Sequence, residues 1–386
     1  MKKIAIISEL SNKTMNYGNR LQTYALNKYL SSNDFADEVH SLILNFENRK
    51  YILVEKIIYE LKMLIKRILG FLRIIKSKKV SLSRENETSM FEKRLSNSQR
   101  FTRRITTKEI DSLEQMQNEN YDTVVVGSDI VWKQERVAVD RMRFLDFELK
   151  NPFKKISYAA SFGGVLIPKN SKKYIKKYLD DFQAISVREK VSVGLLEGIG
   201  VENAVHVCDP TLLLTKEEWS AVAEPVKGIQ EKYIFVYLLG KDIEHRNSIE
   251  KLASKNSLKV VTIPHANDNY DDVDDNFGDY REMDASPENW IWLIKNAEYV
   301  ITDSFHATVF SVIFSKKFLV AKRYWIQDIN VRMTDFLETI GEQDKFVDIS
   351  SVESLDDFAW NYEKIFSITE EFIVNSKEYI KKTLTE

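Results

Sequence analysis

Lys3-Ile4-Ala5-Ile6-Ile7, running on into Asn16-Tyr17-Gly18-Asn19-Arg20-Leu21-Gln22, decides the fold class of this chain. Ile4 to Ile7 form a continuous apolar run, as in a central strand of a parallel sheet covered on both faces. After Gly18, apolar residues return at helical spacing through Leu21, Tyr24 and Ala25. The turn between strand and helix points free backbone N–H groups at whatever binds there. The same design recurs in Tyr299-Val300-Ile301-Thr302-Asp303-Ser304-Phe305-His306-Ala307-Thr308. Here 299–302 reads as a short buried strand, Asp303-Ser304 as a cap, and 307–314 as a packed helix with His306 in its first turn. A helix N-terminus with an imidazole beside it suits an anionic ligand and proton transfer.

Working outward, strand-like runs at 3–7, 41–44, 123–126, 155–157 and 184–186 alternate with helical stretches. A second series follows at 233–238, 259–263, 299–302 and 317–320. Such alternation predicts an α/β fold of two doubly wound units facing a cleft. The length of 386 residues exceeds what one hydrophobic core usually serves. We place the junction between 215 and 230, giving an N-terminal domain over 1–220 and a C-terminal one over 221–386 that closes with a helix.

The net charge of −2 and pI near 6.3 lack the basic excess of a nucleic-acid binder. Cys208 is the single cysteine, so neither an internal disulfide nor a thiolate metal cluster is expected, which fits a reducing cytoplasm. The apolar run after Met1-Lys2-Lys3 stops at Ser8-Glu9, too short for a signal-peptide core. The expected location is the cytoplasm. Ten Lys or Arg and two Glu between Arg49 and Lys79 surround an apolar stripe at helical spacing, including Leu61, Leu64, Ile65 and Ile68. This basic amphipathic insertion over about 49–80 either packs on its own domain or docks on anionic lipid at the inner membrane face. The acidic stretch from Asn267 to Gly278 fails the EF-hand spacing and is read as a solvated loop.

Several strand ends carry candidate chemistry. Val126-Gly127-Ser128-Asp129 sets Asp129 where it could deprotonate a hydroxyl or cap a helix. Ser157-Tyr158-Ala159-Ala160-Ser161-Phe162-Gly163 offers small residues for close approach of a ligand or of packed backbone. Arg188 suits a carboxylate or phosphate, or a local acid such as Glu189. His306 is the leading acid–base candidate of the five histidines, although a satisfied structural histidine fits its position as well. No Walker loop, dinucleotide fingerprint, zinc pair or nucleophile elbow is present in the sequence.

Taken in order, these segments, with Asp209-Pro210-Thr211-Leu212-Leu213-Leu214 and Asn330-Val331-Arg332-Met333, resemble the bacterial polysaccharide pyruvyl transferase family over about residues 3 to 345. The resemblance implies two Rossmann-like domains in a GT-B-like arrangement, phosphoenolpyruvate as donor, and a surface-polymer sugar or its undecaprenyl-linked precursor as acceptor. No cofactor and no metal ligand is assigned, and metal dependence stays open. By resemblance His306 is the acid–base group, with Asp129 a second catalytic candidate. Arg188, Ser304, Arg332 and Arg323 become donor-side residues, and Asn19, Gln22 and Ser161 acceptor-side ones. One position departs: family members commonly carry Arg two places before the motif histidine, where this chain has Ser304. Arg323, Lys322 or Arg332 would then have to supply the missing charge. Two other readings are a nucleotide-sugar glycosyltransferase of the same architecture and a non-catalytic scaffold of the same pathway. The former lacks a Glu pair at ribose-binding spacing after the late strand.

Overall fold

A computed structural model describes residues 1–51, 84–133, 138–266, 272–323 and 327–386. The basic insertion therefore lies mostly outside the described residues. The first half runs β1 (Lys3–Ile7), α1 (Tyr17–Ser32), β2 (Glu38–Leu44), β3 (Arg49–Tyr51), α2 (Arg84–Thr102), β4 (Thr107–Ile110), α3 (Leu113–Gln117), β5 (Thr123–Val126), β6 (Ala138–Asp140) and β7 (Lys154–Ser157). It continues through α4 (Lys172–Leu179), β8 (Ser186–Val187), α5 (Lys190–Glu197), β9 (Val205–His206) and α6 (Lys216–Val222). The second half holds β10 (Tyr233–Tyr237), α7 (Ile243–Lys255), β11 (Lys259–Thr262), β12 (Tyr280–Arg281), α8 (Pro287–Asn296), β13 (Tyr299–Thr302) and α9 (Phe305–Ile313). It ends with β14 (Lys317–Ala321), α10 (Gln327–Ile340), β15 (Phe346–Val347) and α11 (Tyr362–Thr385).

Two parallel sheets result, ordered β4-β2-β1-β5-β7 and β12-β11-β10-β13-β14-β15. β5, β10 and β13 are buried at every residue, as strands covered on both faces must be. Each sheet reverses its winding once, between β1 and β5 and between β10 and β13. The fold is therefore α/β with two doubly wound parallel sheets. Edge strands β4, β12 and β15 have no long apolar run, because one side of an edge faces solvent. The run expected at 184–186 forms only the two-residue β8, and single bridges join Ala184 just before it to Ile156 of β7 and Val187 within it to Ala160 just beyond β7.

An apolar seam joins the two halves. The Tyr17 hydroxyl donates to Ala285 O at 2.7 Å, and the Tyr17 ring lies 6.0 Å from Trp290. Trp290 meets Phe310 edge-on at 5.1 Å, and Phe310 meets Trp219 at 4.8 Å. α11 crosses back to the first sheet, where Tyr379 donates to Ser157 O and Cys208 N donates to Ser376 Oγ. A continuous hydrophobic interface of this kind restrains relative motion of the halves.

Candidate active site

The site is assembled where the carboxyl ends of the two sheets meet. Beyond β5, Asp129 takes a left-handed backbone (φ 65°), and beyond β7, Ala159 does the same (φ 51°). Each such non-glycine residue costs about 1–2 kcal/mol. These turns set Asp129 beside Ala160 and Ala160 beside Val187, so Arg188 leaves β8 directly under the Asp129 carboxylate.

Arg188 is enclosed by acids. Its Nε donates to Glu189 Oε1 at 2.9 Å, and its Nη1 lies 3.3 Å from Asp129 Oδ1 and 3.2 Å from Asp209 Oδ2. Phe305 covers its guanidinium at 4.2 Å. Burial would lower the guanidinium, yet Glu189, Asp129 and Asp209 outweigh it and hold Arg188 above its ordinary value. The acids respond reciprocally. Burial pushes Asp209 up, but His306, Arg188 and the Thr211 N–H together leave it well below the usual carboxylate range. Asp129 is likewise raised by burial and more than offset by Arg188, His306 and Arg332.

His306 comes to this cluster from the other half. Its Nε2 stands 3.6 Å from Asp209 Oδ2, the separation of an ion pair rather than a hydrogen bond. Its other face rests on α1, since a Cβ added to Gly18 would sit 2.2 Å from Nδ1. Two helix N-termini, one from each half, thus meet across a single imidazole. His306 Nε2, Arg188 Nη2 and Arg332 Nε are buried without a hydrogen-bond partner. Arg332 Nη1 is 3.9 Å from Asp129. Burial and the like charge of Arg188 push the Arg332 guanidinium down to about 10. Arg188 is thus a neutralised cation and Arg332 an under-compensated one.

The remaining expected residues divide. Gln22 Oε1 accepts from Ser128 N, and Ser161 Oγ donates to Glu189 while accepting from Gly163 N. Both are fully buried, so they brace the site and do not line it. Arg323 is engaged by Asp303 through both its side chain and its carbonyl. Ser304 is the N-cap residue of α9, but its hydroxyl makes no capping bond. Asp303, read as a helix cap, instead accepts from Leu239 N and Gly240 N, each at 2.7 Å, and so closes the end of β10. Within the stretch read as a solvated loop, Asp274 is buried and paired with Arg246 at 2.7 Å, because the Arg246 guanidinium needs a local acid. Glu189 is the local acid that the sequence offered as a partner for Arg188, whereas Asp209 and Gly18 complete the site without having been assigned a role from sequence. Asp209-Pro210-Thr211 was visible as a motif, but its partners are distant in the chain.

The polysaccharide pyruvyl transferase family model matches residues 16–321. The chain belongs to that family. The segments that carry the resemblance are those that converge here, from α1 to the strand end before α9. Among solved structures, Staphylococcus aureus MnaA with UDP is similar at 14% identity and a TM-score of 0.48, covering 100% of this chain and 98% of that one. The glycosyltransferase SnogD from Streptomyces nogalater is similar at 11% identity and a TM-score of 0.44, with 99% of each chain covered. No curated protein matches. No helix among the described residues is long and apolar enough to cross a membrane.

Proposed function

We propose that this member of the family transfers the enolpyruvyl group of phosphoenolpyruvate to two hydroxyls of a surface-polysaccharide sugar, or of its lipid-linked precursor, forming a pyruvate ketal. The observation carrying this reading is that three side chains with a buried, unpartnered nitrogen, His306 (Nε2), Arg188 (Nη2) and Arg332 (Nε), gather around the Asp129 and Asp209 carboxylates. An anion bearing a carboxylate and a phosphate offers acceptors to both guanidinium groups, with Ser304 Oγ and the α9 N-terminus beside them. Arg332 is the best placed of the substitutes for the charge missing at Ser304, since Arg323 is already held by Asp303.

In this reading His306 gives a proton to the enol methylene, which becomes a methyl group, and C2 becomes electrophilic. One sugar hydroxyl adds to C2, the C2–O bond to phosphate breaks, and a second hydroxyl closes the ketal. Of the two hydroxyl protons released, one restores His306 and the other leaves with inorganic phosphate. Asp209 orients the imidazole. Asp129, held ionised, orders the two arginines and accepts a hydrogen bond from the incoming hydroxyl.

A nucleotide diphosphate is less well served. In the second sheet the backbone N–H pair at the end of β10 already binds Asp303, and Asp303 Oδ2 lies 2.9 Å from where a Gly240 Cβ would be. Thermal unfolding with phosphoenolpyruvate, UDP-sugars or GDP-sugars separates the two. At a hundredfold excess over Kd a ligand specific to the folded state adds about 2.7 kcal/mol. We expect that shift with phosphoenolpyruvate and its loss in Arg332→Met; a shift with nucleotide sugar alone would replace pyruvyl by glycosyl transfer. A scaffold would respond to neither. A lipid-linked acceptor would place the enzyme at the inner membrane face, with 49–80 as the contact; failure to float with anionic liposomes at low salt removes that contact.

A further inference from the structure

The first sheet changes its winding between β1 and β5, and open parallel sheets bind ligands in the crevice outside such a point. Here that crevice is a cavity of about 490 Å³, within the roughly 300–1,000 Å³ span of small-molecule sites. Ser8 and Glu9 leave β1 along one wall, Ile130 and Val131 follow Asp129 along another, and Thr14 and Asn19 close the side toward α1. The matching crevice of the second sheet holds Asp303 in the Leu239 and Gly240 N–H groups.

The open crevice contains hydrogen-bonding atoms that the described residues leave unused. Thr14 Oγ1 and Asn19 Oδ1 are buried without partners. Glu9 meets Arg143 at 2.5 Å, and Arg143 is shared with Asp140 at 3.3 Å. Burial raises the Glu9 carboxyl above its ordinary value despite Arg143, and Asp129 adds to that rise. The walls balance Glu9, Glu47 and Asp140 against Arg49, Lys133 and Arg143. Matched charges beside unused hydroxyl and amide acceptors suit a neutral polyol better than a polyanion. The cavity lies near the charged cluster, since Glu9 in its wall feels the Asp129 charge and Ile130 in its lining is the next residue after Asp129.

We propose that this cavity binds a neutral sugar ring, the acceptor unit, with Glu9, Asn19 and Thr14 taking its hydroxyls. The ring then presents its remaining hydroxyl pair past Gly18 to His306. Only that last step rests on the pyruvyl-transfer reading; occupation of the cavity by a neutral ring does not.

Saturation-transfer NMR with methyl β-galactoside, methyl β-glucoside and methyl β-glucuronide tests the site, alongside the phosphoenolpyruvate-induced thermal shift of each protein. We expect at least one neutral glycoside to bind the wild type and to outcompete the glucuronide. Glu9→Gln and Asn19→Leu should each weaken that binding about fivefold or more, the loss of one hydrogen bond to a buried partner, and leave the phosphoenolpyruvate shift unchanged. Thr14→Val replaces either variant that fails to fold. The proposal is overturned if no glycoside binds, if the glucuronide binds as well as the neutral sugars, or if the folded variants bind like wild type. A sugar signal that responds to the variants, with no phosphoenolpyruvate shift in any protein, would keep the cavity and discard the transfer reading.

Discussion

Gly18→Ala is a small change with a calculable reach. A Cβ at this position would lie 2.2 Å from His306 Nδ1, 2.7 Å from Cε1 and 2.8 Å from Cγ. Reaching an ordinary contact of about 3.5 Å requires the ring to retreat by about 1.3 Å. Overpacking of this kind costs about 1–3 kcal/mol, and alanine returns about 0.5–1 kcal/mol over glycine in a helix. The net loss of stability is thus about 0–2.5 kcal/mol. A 1 Å displacement at an acid–base group costs about 10²-fold in rate, or about 2.7 kcal/mol of barrier. Gly194→Ala is the control: Gly194 lies in α5, and a Cβ there meets nothing within 4 Å. Urea unfolding and single-turnover phosphate release from phosphoenolpyruvate with acceptor would be measured on both variants. We expect Gly194→Ala to keep its activity and gain slight stability, while Gly18→Ala keeps most of its stability and loses nearly all turnover. Wild-type turnover in Gly18→Ala would refute the placement of His306 at the reacting centre.

Arg188→Met should destabilise the protein by about 3–5 kcal/mol in urea, because three buried carboxylates lose their common cation; an effect below 1 kcal/mol would contradict that role. Arg332→Met should be neutral or stabilising in the same measurement, since its cation is under-compensated, while the phosphoenolpyruvate shift disappears. Asp209 has a depressed folded value, so its stabilisation is full above the unfolded pKa of about 3.9 and is lost as pH falls toward the folded one. Asp209→Asn should therefore be less stable than wild type at pH 7, and the gap should narrow below about pH 4; a gap independent of pH would refute the ion-pair account. Asp335 in α10 accepts from Lys190 N and Val191 N at the start of α5. Asp335→Ala should cost about 0.5–2 kcal/mol in thermal unfolding, as loss of a helix cap does.

The central strands were legible because both faces are buried: 3–7, 123–126 and 299–302 were read with the bounds that β1, β5 and β13 have. Edge strands β4, β12 and β15 and the β3–β6 ribbon were missed, β3 and β4 because Arg49-Lys50-Tyr51 and Thr107-Lys108-Glu109-Ile110 mix charge with apolar residues as solvent-facing backbone does. Asp303 was misread as a helix cap because Asp in that place serves a cap equally well. Only the neighbouring end of β10, more than sixty residues earlier in the chain, diverts it.

The sequence by itself determined local matters: the strand-to-helix turns, the parallel α/β class, the place of His306 in the first turn of a helix, and the family. These follow from periodicity, capping and short motifs, which act over a few residues. Tertiary structure alone decided which charges meet. It set Arg188 among Asp129, Glu189 and Asp209, left Arg332 under-compensated, laid His306 on Gly18 from the other half, and kept one switch-point crevice open while Asp303 filled the other. Electrostatic energy depends on distance and burial, not on separation along the chain, so no local pattern encodes it.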